Sequence, residues 1–195
     1  TTALSWISTS ETITQAGGKV VFCDINPKTY CIDENHIESL ITPKTVGIIP
    51  VHLYGHCCEL NKLSNICKKN KLYMIEDAAQ AHGAVWHGNK VGALGMGGIF
   101  SFQTSKNMSS GEGGAIISNN ESFMDACYSY HNCGRVRYGK WYEHHRLGSN
   151  LRMSAFNAAV LIPQIDTLSQ DFELREKNRK KIDRGFSDIN GLVPM

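Results

Sequence analysis

Lys106 closes the run Phe100-Ser101-Phe102-Gln103-Thr104-Ser105-Lys106, just before the glycine-rich Ser110-Gly111-Glu112-Gly113-Gly114. Upstream, Leu72-Tyr73-Met74-Ile75-Glu76-Asp77 is a second apolar run that ends on acid. A carboxylate at the end of one buried strand and an amine just past another can grip one heterocycle from two sides. The amine can form a Schiff base with an aldehyde. The carboxylate can keep a pyridine nitrogen protonated, so that the ring accepts electrons from a carbanion. Pyridoxal phosphate needs both groups. Taken singly, Lys106 reads as a solvated surface lysine and Asp77 as a helix cap. Taken together, with glycine-rich turns after both, they read as a cofactor site. Ser101, ahead of Lys106 in the same run, could place a hydroxyl on a phosphate while the amine reaches the aldehyde.

The elements that would position these groups alternate between strand and helix. Ala3 to Ala16 reads as a helix closed by Gly17-Gly18. Lys19 to Asp24 is a short β-branched and aromatic run, hence a strand. Asp33 can cap a helix through Leu40. Thr45 to His52 is a continuous apolar strand of the doubly buried kind. Leu60, Leu63, Ile66 and Cys67 repeat at helical spacing. Leu72 to Asp77, Gly97 to Phe102 and Gly114 to Ser118 are predicted strands. Ser122 to His131 is a predicted helix, and Met153 to Leu168 is a long one interrupted or bent at Pro163. This alternation predicts an α/β layered sheet, with ligands at the carboxyl ends of its strands.

Composition narrows the class. At 195 residues, 42% hydrophobic and 19% charged, the chain has enough material for one sizeable core. A formal charge of +2 without like-charge blocks argues against nucleic-acid or membrane-surface binding. Its apolar stretches are too short to span a bilayer. Seven cysteines, an odd number without Cys-x-x-Cys, suggest free thiols in a reducing, cytoplasmic setting. His52, His56, Cys57 and Cys58 match no common zinc spacing, so no metal is expected. Arg135, Arg137 and Arg146 read either as a solvated loop or as a site for a substrate phosphate or carboxylate. The chain opens on Thr1-Thr2 and stops at Val193-Pro194-Met195, which reads as a fragment of a longer protein. Composition turns charged near Leu168, giving expected domains at 1–168 and 169–195.

Five runs then combine in order: Pro50-Val51-His52-Leu53-Tyr54-Gly55, Ile75 to Ala84, Phe100 through Lys106, Gly111-Glu112-Gly113-Gly114-Ala115, and Leu147-Gly148-Ser149-Asn150-Leu151-Arg152-Met153-Ser154. Together they resemble the DegT/DnrJ/EryC1/StrS family of pyridoxal-phosphate-dependent sugar aminotransferases. The resemblance implies the aspartate-aminotransferase fold (fold type I): a large domain with a mostly parallel sheet flanked by helices, here lacking its N-terminal segment, then a truncated small domain. It implies Lys106 as the Schiff-base lysine and proton shuttle, and Asp77 as the pyridinium partner. Gln80 falls on the ring's hydroxyl side, Ser101 on the phosphate, and Trp6 over the ring. Asn150 is lent across a homodimer to the neighbour's phosphate. The implied substrates are an amino donor, glutamate or glutamine, and a keto-sugar or keto-cyclitol acceptor. Asn132-Cys133-Gly134-Arg135 and Trp141-Tyr142-Glu143-His144-His145 lean toward the cyclitol and aminohydroxybenzoate branch as much as toward nucleotide-linked sugars. The sequence departs from the family pattern at His56, where Gln is usual. It also lacks the family's Gly-Thr phosphate cradle and most of the small domain. A truncated, inactive paralogue that serves as a binding or dimerising module is therefore the alternative reading.

Overall fold

The computed structural model describes residues 1–192. The expectations attached to Val193-Pro194-Met195, and the last residues of the expected 169–195 domain, lie outside them. In chain order the elements are α1 (Ser8–Gln15), α2 (Ile37–Leu40), β1 (Gly47–Ile48), α3 (Leu60–Asn70), β2 (Tyr73–Asp77), β3 (Val85–Trp86), β4 (Asn89–Lys90), β5 (Gly97–Ser101), β6 (Gly114–Ile117), α4 (Glu121–His131) and α5 (Ala155–Phe186). The main sheet runs β1-β2-β5-β6. Its first three strands are parallel, with Ile48 opposite Met74 and Asp77 opposite Ile99, while β6 runs antiparallel to β5. This is the α/β sheet that the strand–helix alternation predicts, in the mostly parallel, helix-flanked arrangement that the resemblance implies.

The core forms where helical and strand periodicities meet. On α3, Leu60, Leu63 and Cys67 share one buried face, and they pack with Ile48 and Met74 from the sheet, Ile32 from a preceding loop and Ile37 from α2. Lys71 ends α3 in a left-handed conformation, φ 55°. A smaller apolar cluster joins Phe102, Met108 and Leu161, and so ties the segment after β5 to α5. Gly98 sits where only a bare Cα fits. A methyl there would strike the Gly92 carbonyl and come within 2.9 Å of the Glu76 carbonyl.

Several boundaries differ from the sequence expectation. Lys19 to Asp24 is not a strand: Val21 and Phe22 are about half exposed, and the segment pairs only through the single bridge Thr2–Cys23. A β-branched run without a partner edge has nothing to ladder with. The strand expected over Thr45 to His52 is broken after Ile48 because Pro50 offers no N–H. Pairing resumes at Val51, which bridges Asp77. The first helix is confined to Ser8–Gln15. The β3–β4 hairpin was not expected; its turn uses His87 and Gly88 at φ 44° and 82°. Helix α5 runs unbroken through both Pro163 and Leu168. Among the described residues, no helix is long and apolar enough to cross a membrane.

Candidate active site

Parallel pairing brings Asp77 and Ser101 to the same edge of the sheet. Asp77 is the last residue of β2 and lies opposite Ile99 of β5, and Ser101 ends β5. The Ala78 N–H donates to the Ile99 carbonyl at 3.0 Å, which carries the register past the strand end. This is the carboxyl edge at which open α/β sheets collect ligands.

Asp77 is oriented from two directions. The Thr9 hydroxyl donates to Asp77 Oδ2 at 2.7 Å, and the Ser5 and Thr9 hydroxyls lie 2.9 Å apart. The Ala79 N–H donates to Oδ1 at 3.2 Å. Helix α1 and the turn before it therefore lie over the end of β2, and Trp6, 74% exposed, stands in that turn. Sequence reasoning missed Thr9, because it reaches Asp77 across 68 positions and no local spacing announces it. Gln80 Oε1 accepts from the Tyr54 N–H at 2.7 Å, and Tyr54 bends into a left-handed conformation at φ 54°.

Lys106 sits half-buried in a closed loop after β5. Its N–H donates to the Gln103 carbonyl at 3.0 Å, and Phe102 closes the loop through Ser110 N–H at 2.9 Å and the Gly113 carbonyl at 2.8 Å. Helix α5 clasps the loop with two amide side chains. Gln164 exchanges two hydrogen bonds with the Ser109 backbone, at 2.9 and 2.8 Å. Asn157 Nδ2 donates to the carbonyls of Ser110, at 3.1 Å, and Glu112, at 2.8 Å. Among the described residues, no carboxylate stands within ion-pair distance of the Lys106 amine. Neither of the two candidate cofactor groups is thus spent on the other.

Beneath this edge lies a fully buried polar network. Glu76 Oε1 accepts from the N–H groups of Leu94 (2.6 Å) and Gly95 (2.7 Å). Its Oε2 accepts from Gly92 N–H at 2.7 Å and from His52 Nε2 at 3.1 Å. His52 Nδ1 accepts from the Cys58 N–H at 3.1 Å, which leaves the ring proton on Nε2. Burial pushes the Glu76 carboxyl up, but the bonds from His52, Gly92 and Gly95 outweigh it and hold the group below the usual carboxylate range. Both ring nitrogens of His52 are thus taken by the protein.

Asn150 lies on the segment that leads into α5. It is exposed, bridges Asn132 beyond α4, and accepts from Arg152 Nε at 2.8 Å. In the same region Arg135 lies over the Trp141 and Tyr142 rings, at 5.1 and 5.8 Å, and Arg137 pairs with Asp125 at 3.3 Å. Cys127 and Cys133 are half-buried free thiols.

Residues 1–195 match the DegT/DnrJ/EryC1/StrS aminotransferase family. The chain belongs to that family. It is 36% identical over 200 residues to an L-glutamine:2-deoxy-scyllo-inosose aminotransferase of Streptomyces lividus, covering 98% of this chain and 47% of that protein. It is 41% identical over 193 residues to a pleiotropic regulatory protein of Geobacillus stearothermophilus, covering 98% and 51%. The crystal structure of 3-amino-5-hydroxybenzoic acid synthase superposes with a TM-score of 0.92 at 34% identity, covering 98% of this chain and 50% of that one. The chain therefore spans about half the length of these relatives.

Proposed function

We propose that the chain is the cofactor-holding part of a pyridoxal-phosphate-dependent aminotransferase that moves an amino group from glutamate or glutamine to a keto-sugar or keto-cyclitol. The observation that carries this reading is the convergence of Asp77, Ser101 and the Lys106 loop on one carboxyl edge, with the lysine amine free of any carboxylate. The donor set fits the group: an anion for a ring nitrogen, a hydroxyl for a phosphate, and an unpaired amine for an aldehyde. When bound, pyridoxal phosphate supplies an electron sink for a carbanion. Asp77, aimed by Thr9 and Ala79, holds the ring nitrogen's proton. Lys106 would anchor the aldehyde and supply the amine that moves a proton at the reacting carbons. Ser101 takes the phosphate, Gln80 faces the ring hydroxyl, and Trp6 covers the ring. Asn150, exposed beside Asn132, reaches the phosphate of a second subunit in a homodimer. Residues 1–168 form the large domain and 169–195 begin the small one, with α5 running from one into the other. The seven unpaired thiols support a reducing, cytoplasmic compartment.

Borohydride reduction of the protein with pyridoxal phosphate, followed by peptide mass mapping, tests the lysine. The expected adduct sits on Lys106, and Lys106→Ala removes both it and the cofactor's near-visible absorbance. An unchanged band in that variant would refute the assignment. A second reading, a binding or dimerising module without turnover, draws on the 41% identity to a protein named as a regulator. Cofactor attachment without amination of any member of a panel of keto-sugars and keto-cyclitols would favour it.

A further inference from the structure

His82 is 4% exposed, and neither of its ring nitrogens has a hydrogen-bond partner among the described atoms. Its ring is tilted against Phe100 at 5.2 Å and Phe102 at 5.9 Å, the two residues that flank Ser101. Phe102 is also the residue that closes the Lys106 loop, and it packs on Leu161 of α5. From the neighbouring Gly83 the wall continues to Phe172 of α5. The imidazole is therefore lodged between β5 and α5, under the segment that presents Ser101 and Lys106. Burial pushes its pKa down, the Ser101 carbonyl opposes this, and the Lys106 charge lowers it further; the net shift favours the neutral ring, which has one N–H to donate. The Ser101 carbonyl lies beside the ring, short of hydrogen-bond geometry.

A wedge between two phenylalanines needs no nitrogen, and a third phenylalanine would fill the place without stranding polar atoms. Buried, unpaired donors in native proteins call for a partner or a task. Polar contacts at a site are often slack before its ligand arrives and tighten afterwards. We infer that His82 is a positioning residue whose imidazole N–H latches the Ser101 carbonyl when the cofactor loads, fixing the backbone that offers the Ser101 hydroxyl and the Lys106 amine. The inference rests on the cofactor reading given above.

The test compares His82→Phe and His82→Gln with the unmodified protein, by pyridoxal phosphate titration and thermal melting. His82→Phe keeps the wedge and removes the latch. It is expected to melt at least as high as the unmodified protein while its dissociation constant for pyridoxal phosphate rises about tenfold, the worth of one hydrogen bond. His82→Gln, with an N–H donor restored, is expected to recover part of that loss. Equal affinity in His82→Phe, or a loss matched by an equal fall in stability, overturns the latch. In the unmodified protein, long-range nitrogen–proton NMR gives a check that needs no variant. The His82 donor nitrogen should shift on cofactor addition, and an unmoved signal overturns the inference. Failure of the unmodified protein to take up pyridoxal phosphate would remove the cofactor reading and the latch together. Uptake with no His82 effect removes only the latch.

Discussion

Replacing Glu76 with Gln should be among the most destabilising single-atom changes available in this chain. Each carboxylate oxygen faces two donors: Oε1 meets Leu94 and Gly95 N–H, and Oε2 meets Gly92 N–H and His52 Nε2. An amide has one oxygen and one NH2. Whichever way it turns, its NH2 confronts two buried donors. His52 cannot relieve the conflict by switching tautomer, because its Nδ1 already accepts from Cys58. Two stranded donors at about 1–3 kcal/mol each give a loss of about 4 kcal/mol. The group's depressed pKa fixes the pH dependence. A carboxyl whose folded pKa lies below its unfolded value contributes stability that is fully present above the unfolded pKa, about 4.3, and is lost as pH falls through the folded one. The difference between Glu76→Gln and the unmodified protein should therefore be largest near neutrality and shrink in acid. Urea unfolding across that range measures it. A loss under about 1 kcal/mol at neutral pH, or a penalty indifferent to acid, would refute the four-donor account.

Two further outcomes follow from the same geometry. Thr9→Val keeps the shape of α1 but deletes the hydroxyl on Asp77, so pyridoxal phosphate affinity should fall by about three- to tenfold with little change in melting; an unaltered dissociation constant would show that α1 does not aim the carboxylate. Burial pushes the Cys67 thiol up to about 11, so at about pH 8 only on the order of one molecule in a thousand carries the thiolate. Alkylation mapped by mass spectrometry should leave Cys67 unlabelled while half-buried Cys133 reacts, and comparable rates at the two would contradict this.

What could be read from sequence was whatever depended on near neighbours. The strands ending at Asp77 and Ser101, and the helix carrying Leu60, Leu63 and Cys67, declare themselves by local apolar pattern, and the structure contains them. The run from Lys19 to Asp24 looked equally strand-like. A strand is a relation between two segments, and this one meets only Cys23's single bridge to Thr2. The β3–β4 hairpin escaped notice because its first left-handed position is His87, not the Asn or Asp that usually marks such turns. At the candidate site, Lys106, Asp77 and Ser101 are marked by their motifs, whereas the side chains that contact them are not. Thr9 joins Asp77 across 68 positions and His52 joins Glu76 across 24, and no window along the chain contains both partners.

Helix α5 is about 48 Å long at 1.5 Å per residue. Its two grips on the lysine loop, Asn157 and Gln164, straddle Pro163, where the ring of hydrogen bonds along the helix is interrupted. Flexure of a long rod concentrates at its weakest section. A bend at that section would change the angle between the two grips. The two grips on the Lys106 loop thus stand on either side of a proline that withholds its N–H from the helix.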